Sequence, residues 1–203
     1  MSDITLFVDP VCPFAWVSAN WLLDAAGDEH AVALAQMSLA VLNEGHTVDA
    51  GHAPMIARSR RVGRVFAAAT AASAAFTPLY RALGSRLHPR GAGTDDDAVV
   101  VAALDAAGLD PALAAALDDP RYDPDVAVAH QASQDALGAR GGSPIISVDG
   151  HGFSGPVLTA RPPQDRARQL LDAVVAAATT PGFASLHRPY QGPPSFTTTE
   201  DDR

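Results

Sequence analysis

The sequence predicts an α/β fold: a β-α-β unit, a long all-helical stretch, then a β-β-α unit that completes one small sheet. Three observations predict it. Strand-like runs occur near the two ends and not between about residues 45 and 143. The middle carries a succession of helix-start and helix-stop signals. A chain of 203 residues, 47% hydrophobic and 18% charged, also has enough apolar mass for a packed core.

Taken in order, ITLFVD (Ile4 to Asp9) is short, apolar and β-rich, and Pro10 ends it, so it reads as a buried strand. From Cys12 to about Ala26 the spacing turns helical, with Trp16, Ala19, Leu22 and Leu23 on one face and Gly27 as the stop. AVALAQMSLAVL (Ala31 to Leu42) opens with alternation at Val32, Leu34 and Gln36 and reads as the second strand. Ala53 to about His88 reads as helix with a break at Thr77-Pro78, and TPLYRALGSRLH is a fresh helix with Pro78 in its first turn. TDDDAVVVAALDAAG places Asp95 to Asp97 at a helix start and a glycine at its end. DPALAAALDD and DPDVAVAHQASQDALGA are two further helices, the second ending near Gly138. Ile145 to Val148 is a β run, and Asp149-Gly150 before another short strand is a hairpin signal. Gln164 to about Thr179 is an amphipathic helix. The Pro-, Gly- and Thr-rich tail is expected to lie extended, with TTTEDDR disordered. The expected division is residues 1–44 and 143–180 as the sheet domain, 45–142 as a helical insertion and 181–203 as the tail.

The formal net charge of -9 argues against nucleic acid as a main partner, since phosphate neutralisation needs a basic surface. The N-terminus has neither a basic region nor a long apolar one, so no signal peptide is expected. No apolar run approaches the roughly 20 residues of a spanning helix. A single cysteine cannot build an internal disulfide framework. Together these predict a soluble cytoplasmic protein in a reducing compartment.

That cysteine, Cys12, falls at or just before the N-terminus of the first helix. Exposed N–H groups and the helix dipole stabilise a thiolate there, so an acidic, nucleophilic thiol is expected. The other reading is a small buried hydrophobe, as many lone cysteines are. Position alone leaves both open.

Several separate short stretches, in order along nearly the whole chain, resemble one family: DPVCPFAW, MSLAVLNE, TPLYRALGSRLH, SPII, FSGPVL and PPSF. They are similar to the DsbA branch of the thioredoxin superfamily, and most closely to the actinobacterial mycothiol-dependent nitroreductases. Kappa-class glutathione transferases and 2-hydroxychromene-2-carboxylate isomerases are more distant members of that branch. The resemblance implies a thioredoxin fold with an all-helical insertion, and an oxidoreductase. It implies that Cys12 is the nucleophile of a C-P-x-C motif, that Ser143 precedes a cis-proline at Pro144 beside the thiol, and that His88 faces the site. Cys12 and His88 are then the catalytic candidates. Pro13, Phe14, Ala15, Ser143, Pro144 and Asn43 are the candidates for binding a thiol or substrate. Ala15 stands where the resembled enzymes carry the resolving cysteine, so an internal C-x-x-C disulfide is excluded and monothiol chemistry remains.

The other constellations have plain readings. His30, His46, His52 and His88 include no i, i+4 pair of a helical zinc site, and no metal is expected. Arg58, Arg60, Arg61 and Arg64 read as a solvated helix face, with an anion site as the alternative. GARGGSP lacks the Gly-Lys-Ser/Thr of a phosphate loop. Trp16 and Phe66 are assigned to the core and Phe14 to the pocket. The expected function is reduction or conjugation of a small electrophile through Cys12, with mycothiol or another low-molecular-weight thiol as cofactor. The alternatives are a kappa-like S-transferase or isomerase and a non-catalytic binding protein. A small thiol and a small electrophile are the expected partners, without nucleic acid or membrane, and the oligomeric state is open to a homodimer.

Overall fold

The computed structural model describes residues 1–88 and 96–196. Four strands form one sheet in the order β2-β1-β3-β4. β1 (Asp3–Val8) pairs in parallel with β2 (Ala31–Gln36), from Asp3 opposite Ala31 to Val8 opposite Gln36. β3 (Ile145–Val148) runs antiparallel to β1, and β4 (His151–Ser154) antiparallel to β3. The hairpin turn is Asp149-Gly150, both at positive φ, as a tight two-residue turn requires. Ile4, Leu6 and Val8 alternate into the core and are fully buried.

α1 (Pro13–Ala26) follows β1 and ends at Gly27 (φ 51). The Trp21 indole N–H donates to the Ala167 carbonyl (3.0 Å) and ties α1 to α7 (Gln164–Thr179). The Ser18 hydroxyl donates to Pro156 (2.7 Å) beyond β4. Between β2 and β3 the described elements are helical: α2 (Leu39–Leu42), α3 (Ala53–Ala71), α4 (Phe76–Leu87), α5 (Asp96–Ala106), two 3-10 segments and α6 (Asp123–Leu137). α6 ends on Gly138 in the left-handed region (φ 73). It packs so closely on β4 that a Cβ at Gly152 would lie 1.9 Å from the Ala136 carbonyl oxygen.

Three expectations are corrected. The second strand stops at Gln36 and does not run to Leu42, because Ser38 caps α2: its Oγ accepts the Val41 N–H (3.2 Å). The helical break falls at 72–75, before Thr77-Pro78, since the chain turns at Ser73 with positive φ (61) and Pro78 then sits inside the first turn of α4. DPALAAALDD forms a 3-10 segment, Pro111–Asp118, capped by Asp110. Asp95 and the residues TTTEDDR lie outside the described residues. No helix among the described residues is long and apolar enough to cross a membrane.

Candidate active site

Cys12 is the N-cap of α1, with extended backbone (φ -74, ψ 116). β1 ends at Val8, and Asp9 to Val11 make the turn into α1: the Cys12 N–H donates to the Asp9 carbonyl and the Trp16 N–H to the Cys12 carbonyl, both 3.0 Å. Pro13 occupies the first helical position, where a missing N–H costs nothing. The Cys12 thiol donates to the Ser143 carbonyl at 3.5 Å. Ser143 also accepts the Asp9 N–H on its hydroxyl (2.9 Å), and the Ser143–Pro144 bond is cis. The loop before it is clamped by Gln134 of α6, whose amide oxygen accepts the Gly141 N–H (2.7 Å). Two distant segments, joined at the sheet's end by the Ser143 hydroxyl and carbonyl, thus bring residues 12 and 143 together.

The thiol is not the acidic one expected. Cys12 is only 5% exposed, and burial pushes its pKa up to about 11. The N–H of Ala15, the hydroxyl of Ser143 and the N–H of Phe14 favour the thiolate, while the Asp9 carboxylate opposes it. Helix amides therefore act as expected, but desolvation and a neighbouring anion outweigh them. Ala15 is fully buried and contributes its N–H where the resolving cysteine would sit.

Asp9 is a site residue that the sequence reading took only for the strand's end. It is fully buried. Its Oδ1 accepts the Val11 N–H (2.9 Å), and its Oδ2 accepts the Leu39 N–H (2.6 Å) and the Ser59 hydroxyl (2.5 Å). Ser59 accepts the Ala40 N–H (3.0 Å), which leaves its own hydrogen for Asp9. Burial raises the carboxyl pKa, and these three donors pull against it. The available signal was a carboxylate closing an apolar strand, and every strand-ending Asp-Pro looks the same.

On the far side stands α4. Tyr80, Gly84 and His88 lie one turn apart along it, and the Trp16 ring lies on Gly84, where a Cβ would be 2.2 Å from the indole. Trp16 is 5.7 Å from the Tyr80 ring and stacks on His88 at 5.5 Å. Phe66 sits deeper in the core against Phe76 (4.9 Å). Tyr80 Oη and His88 Nε2 are buried without a hydrogen-bond partner. Burial lowers the His88 pKa to about 4, helped by the Arg58 charge and opposed by the Pro10 carbonyl, so the ring is neutral at neutral pH and its protonated form is disfavoured. Burial pushes the Tyr80 hydroxyl well up, and the Cys12 and Asp9 charges add to it. Phe14 packs against Tyr190 (5.1 Å). Asn43 caps α2 and spends its amide on the carbonyl of Leu39 (2.8 Å), the residue whose N–H donates to Asp9.

The arginine cluster resolves into ion pairs: Arg60 with Glu44, Arg61 with Asp97 and Asp118, Arg64 with Asp123. Those three guanidiniums face carboxylates, which removes the basis for an anion site on them.

A buried thiol capping the first helix of a four-stranded mixed sheet, held against the loop before a proline, with helices threaded between the second and third strands, defines a thioredoxin fold of DsbA-like architecture. Chlamydia trachomatis DsbA superposes with a TM-score of 0.55 at 10% identity, over 85% of this chain and 84% of that one. The probable DsbA oxidoreductase SCO1869 of Streptomyces coelicolor superposes at 0.54 with 18% identity, over 94% of each. The family model for the Rv2466c-like mycothiol-dependent nitroreductases matches residues 11–188, and the chain belongs to that family. It is also 31% identical over 201 residues to the uncharacterized protein Rv2286c of Mycobacterium tuberculosis, covering 93% of this chain and 83% of that protein.

Proposed function

We propose that this chain is a single-thiol oxidoreductase of the cytoplasm that works through Cys12 with a low-molecular-weight thiol of the mycothiol kind. The observation that supports it most is the pairing of Cys12 with the Ser143 carbonyl, while Ala15 leaves the first helical turn without a second sulfur. Cys12 loses its thiol proton and attacks an electrophilic sulfur or carbon of the substrate. In the disulfide case, with a substrate R–S–S–R′, a Cys12–S–S–R bond forms, the substrate's S–S bond breaks, and the R′ sulfur departs as thiolate. The small thiol supplies the resolving sulfur that position 15 lacks. The residues fit such a group: two buried polar atoms, Tyr80 Oη and His88 Nε2, lack partners beside the Trp16 ring and can hydrogen-bond a bound molecule. The helical segment 45–142 supplies both, which is why we read it as part of the catalytic unit.

The thiol's pKa of about 11 means that roughly one molecule in ten thousand carries thiolate at pH 7. Attack therefore needs proton removal at the moment of reaction, by the substrate or by a neighbour.

The test is to incubate the protein with the disulfide of mycothiol and weigh it intact. One added mycothiol per chain on wild type, none on Cys12→Ser, and reversal by a reductant are the expected results. A wild-type chain that stays unmodified while a small alkylating reagent still labels Cys12 would overturn the reading. Activity kept in Cys12→Ser would instead favour a kappa-like transferase.

A further inference from the structure

We propose that Tyr190 and Phe196, in the C-terminal segment, roof the Cys12 site and set the size of the molecule that reaches the sulfur. The inference rests on Cys12 being the reacting group.

After α7 the chain carries no helix or strand from 181 to 196. It is nonetheless held down at separate places. Phe183 meets Phe153 at 5.8 Å, Tyr190 meets Phe14 at 5.1 Å, and Phe196 meets His88 at 5.7 Å. The Ser195 N–H donates to the Thr159 carbonyl at 2.7 Å, just before Phe196. The second and third ring contacts fall on the surroundings of Cys12. Phe14 lies two residues beyond the thiol in the first turn of α1. His88 stacks on Trp16, whose N–H closes that same turn on the Cys12 carbonyl. One segment thus contacts two of the residues around Cys12, Phe14 and His88.

The two rings differ from core residues. Tyr190 and Phe196 keep 47% and 37% of their surface exposed, while Cys12 keeps 5%. Both are partly exposed and neither belongs to the buried core, so truncating them leaves that core intact. Phe196 also bounds a cavity of about 200 Å³, lined by Trp16, Val17, Asn20, Ser85 and Arg161. Its ring thus contacts His88 and also lines this cavity, so a smaller side chain there would widen the cavity toward His88. Of the cavity's polar groups, the Asn20 amide donates to the Trp16 carbonyl, the Ser85 hydroxyl to the Ala82 carbonyl, and Arg161 pairs with Asp24, which leaves the Asn20 and Ser85 oxygens as acceptors.

The test compares N-ethylmaleimide with fluorescein-5-maleimide on Cys12, in wild type, Tyr190→Ala, Phe196→Ala, the double variant and Phe196→Trp. Both reagents need the same thiolate, so the ratio of their rates at one pH cancels any change in thiol ionisation. The ratio of bulky to small reagent is expected to rise about tenfold in the double Ala variant, to rise less in the single ones, and to fall in Phe196→Trp. An unchanged ratio, or equal gains for both reagents, overturns the proposal. If the Ala variants fail to fold by circular dichroism, Phe196→Trp decides alone, and an unchanged ratio there overturns it. Maleimide labels any accessible thiol, so a failed mycothiol experiment leaves this result readable, and the converse holds as well.

Discussion

At the residue scale the governing quantity is the environment of Cys12. An N-cap position lowers a thiol pKa by the N–H groups and dipole it meets; removal from water raises it. Here burial is the larger effect, and Asp9 adds to it. The rate of small-reagent alkylation against pH is therefore expected to have its midpoint near 11, above that of a free thiol. Asp9→Asn removes the neighbouring anion and is expected to lower that midpoint; a midpoint that stays or rises would show that Asp9 acts on the backbone alone. His88 gives a second prediction. Its folded pKa of about 4 lies below the ordinary 6.5, so the unfolded chain takes up the proton first as pH falls. The stability this contributes is complete above about 6.5 and is lost as pH drops through 4, in total about 3 kcal/mol. Carboxylates held low by arginines, such as Asp118 and Asp123, lose stability in the same direction. The comparison is thus urea denaturation of wild type and His88→Gln between pH 7 and 4: the variant is expected to lose less.

At the scale of elements, the site depends on how closely α1 and α4 approach. Gly84 is the point of contact, since its missing Cβ is the space the Trp16 ring occupies. Gly84→Ala is expected to push the indole away, to cost about 1–3 kcal/mol in chemical denaturation, and to change Trp fluorescence. A change below about half a kcal/mol would mean that the ring moves freely. The first turn of α1 gives another prediction. Ala15 is buried one turn from Cys12 in C-x-x-C spacing, so Ala15→Cys is expected to form an internal disulfide under mild oxidant, read as the loss of two thiols in a titration. Gain of that disulfide without gain of reductase turnover would show that the surrounding pocket, not the missing sulfur, limits the chemistry.

At the scale of the whole molecule, Asp9 and Ser59 tie the sheet to the helices between β2 and β3. The carboxylate at the end of β1 holds the start of α2 through Leu39 and α3 through Ser59. Ser59→Ala leaves the Ala40 N–H and one Asp9 lone pair buried without partners, and is expected to cost about 1–3 kcal/mol of global stability. Urea denaturation reads it. The raised thiol adds a pH effect of opposite sense to that of His88. The stability from a protonated Cys12 is complete below about 9 and is lost as pH rises to about 11. Tyr80 adds a loss of the same sign at higher pH, so Cys12→Ser against wild type isolates the thiol's share.

The order of elements was legible because it is written locally. Alternation at Ile4, Leu6 and Val8, the Pro13 helix start, Asp149-Gly150 and Gly138 each carry their own backbone preference within a few residues. Cys12, its lost partner at Ala15 and the family likeness were legible for the same reason. What the tertiary structure decided is every property that depends on distance between remote segments. The sequence places Asp9 and Ser59 fifty residues apart, and nothing local says that one hydroxyl satisfies the other's carboxylate. It places Phe196 at the end of a tail, yet the fold sets its ring against His88. Above all it puts Cys12 at a helix N-terminus, where local rules make a thiol acidic. Only packing shows how little water reaches the sulfur, and the free energy of desolvation is a property of that packing, not of any residue's neighbours in the chain.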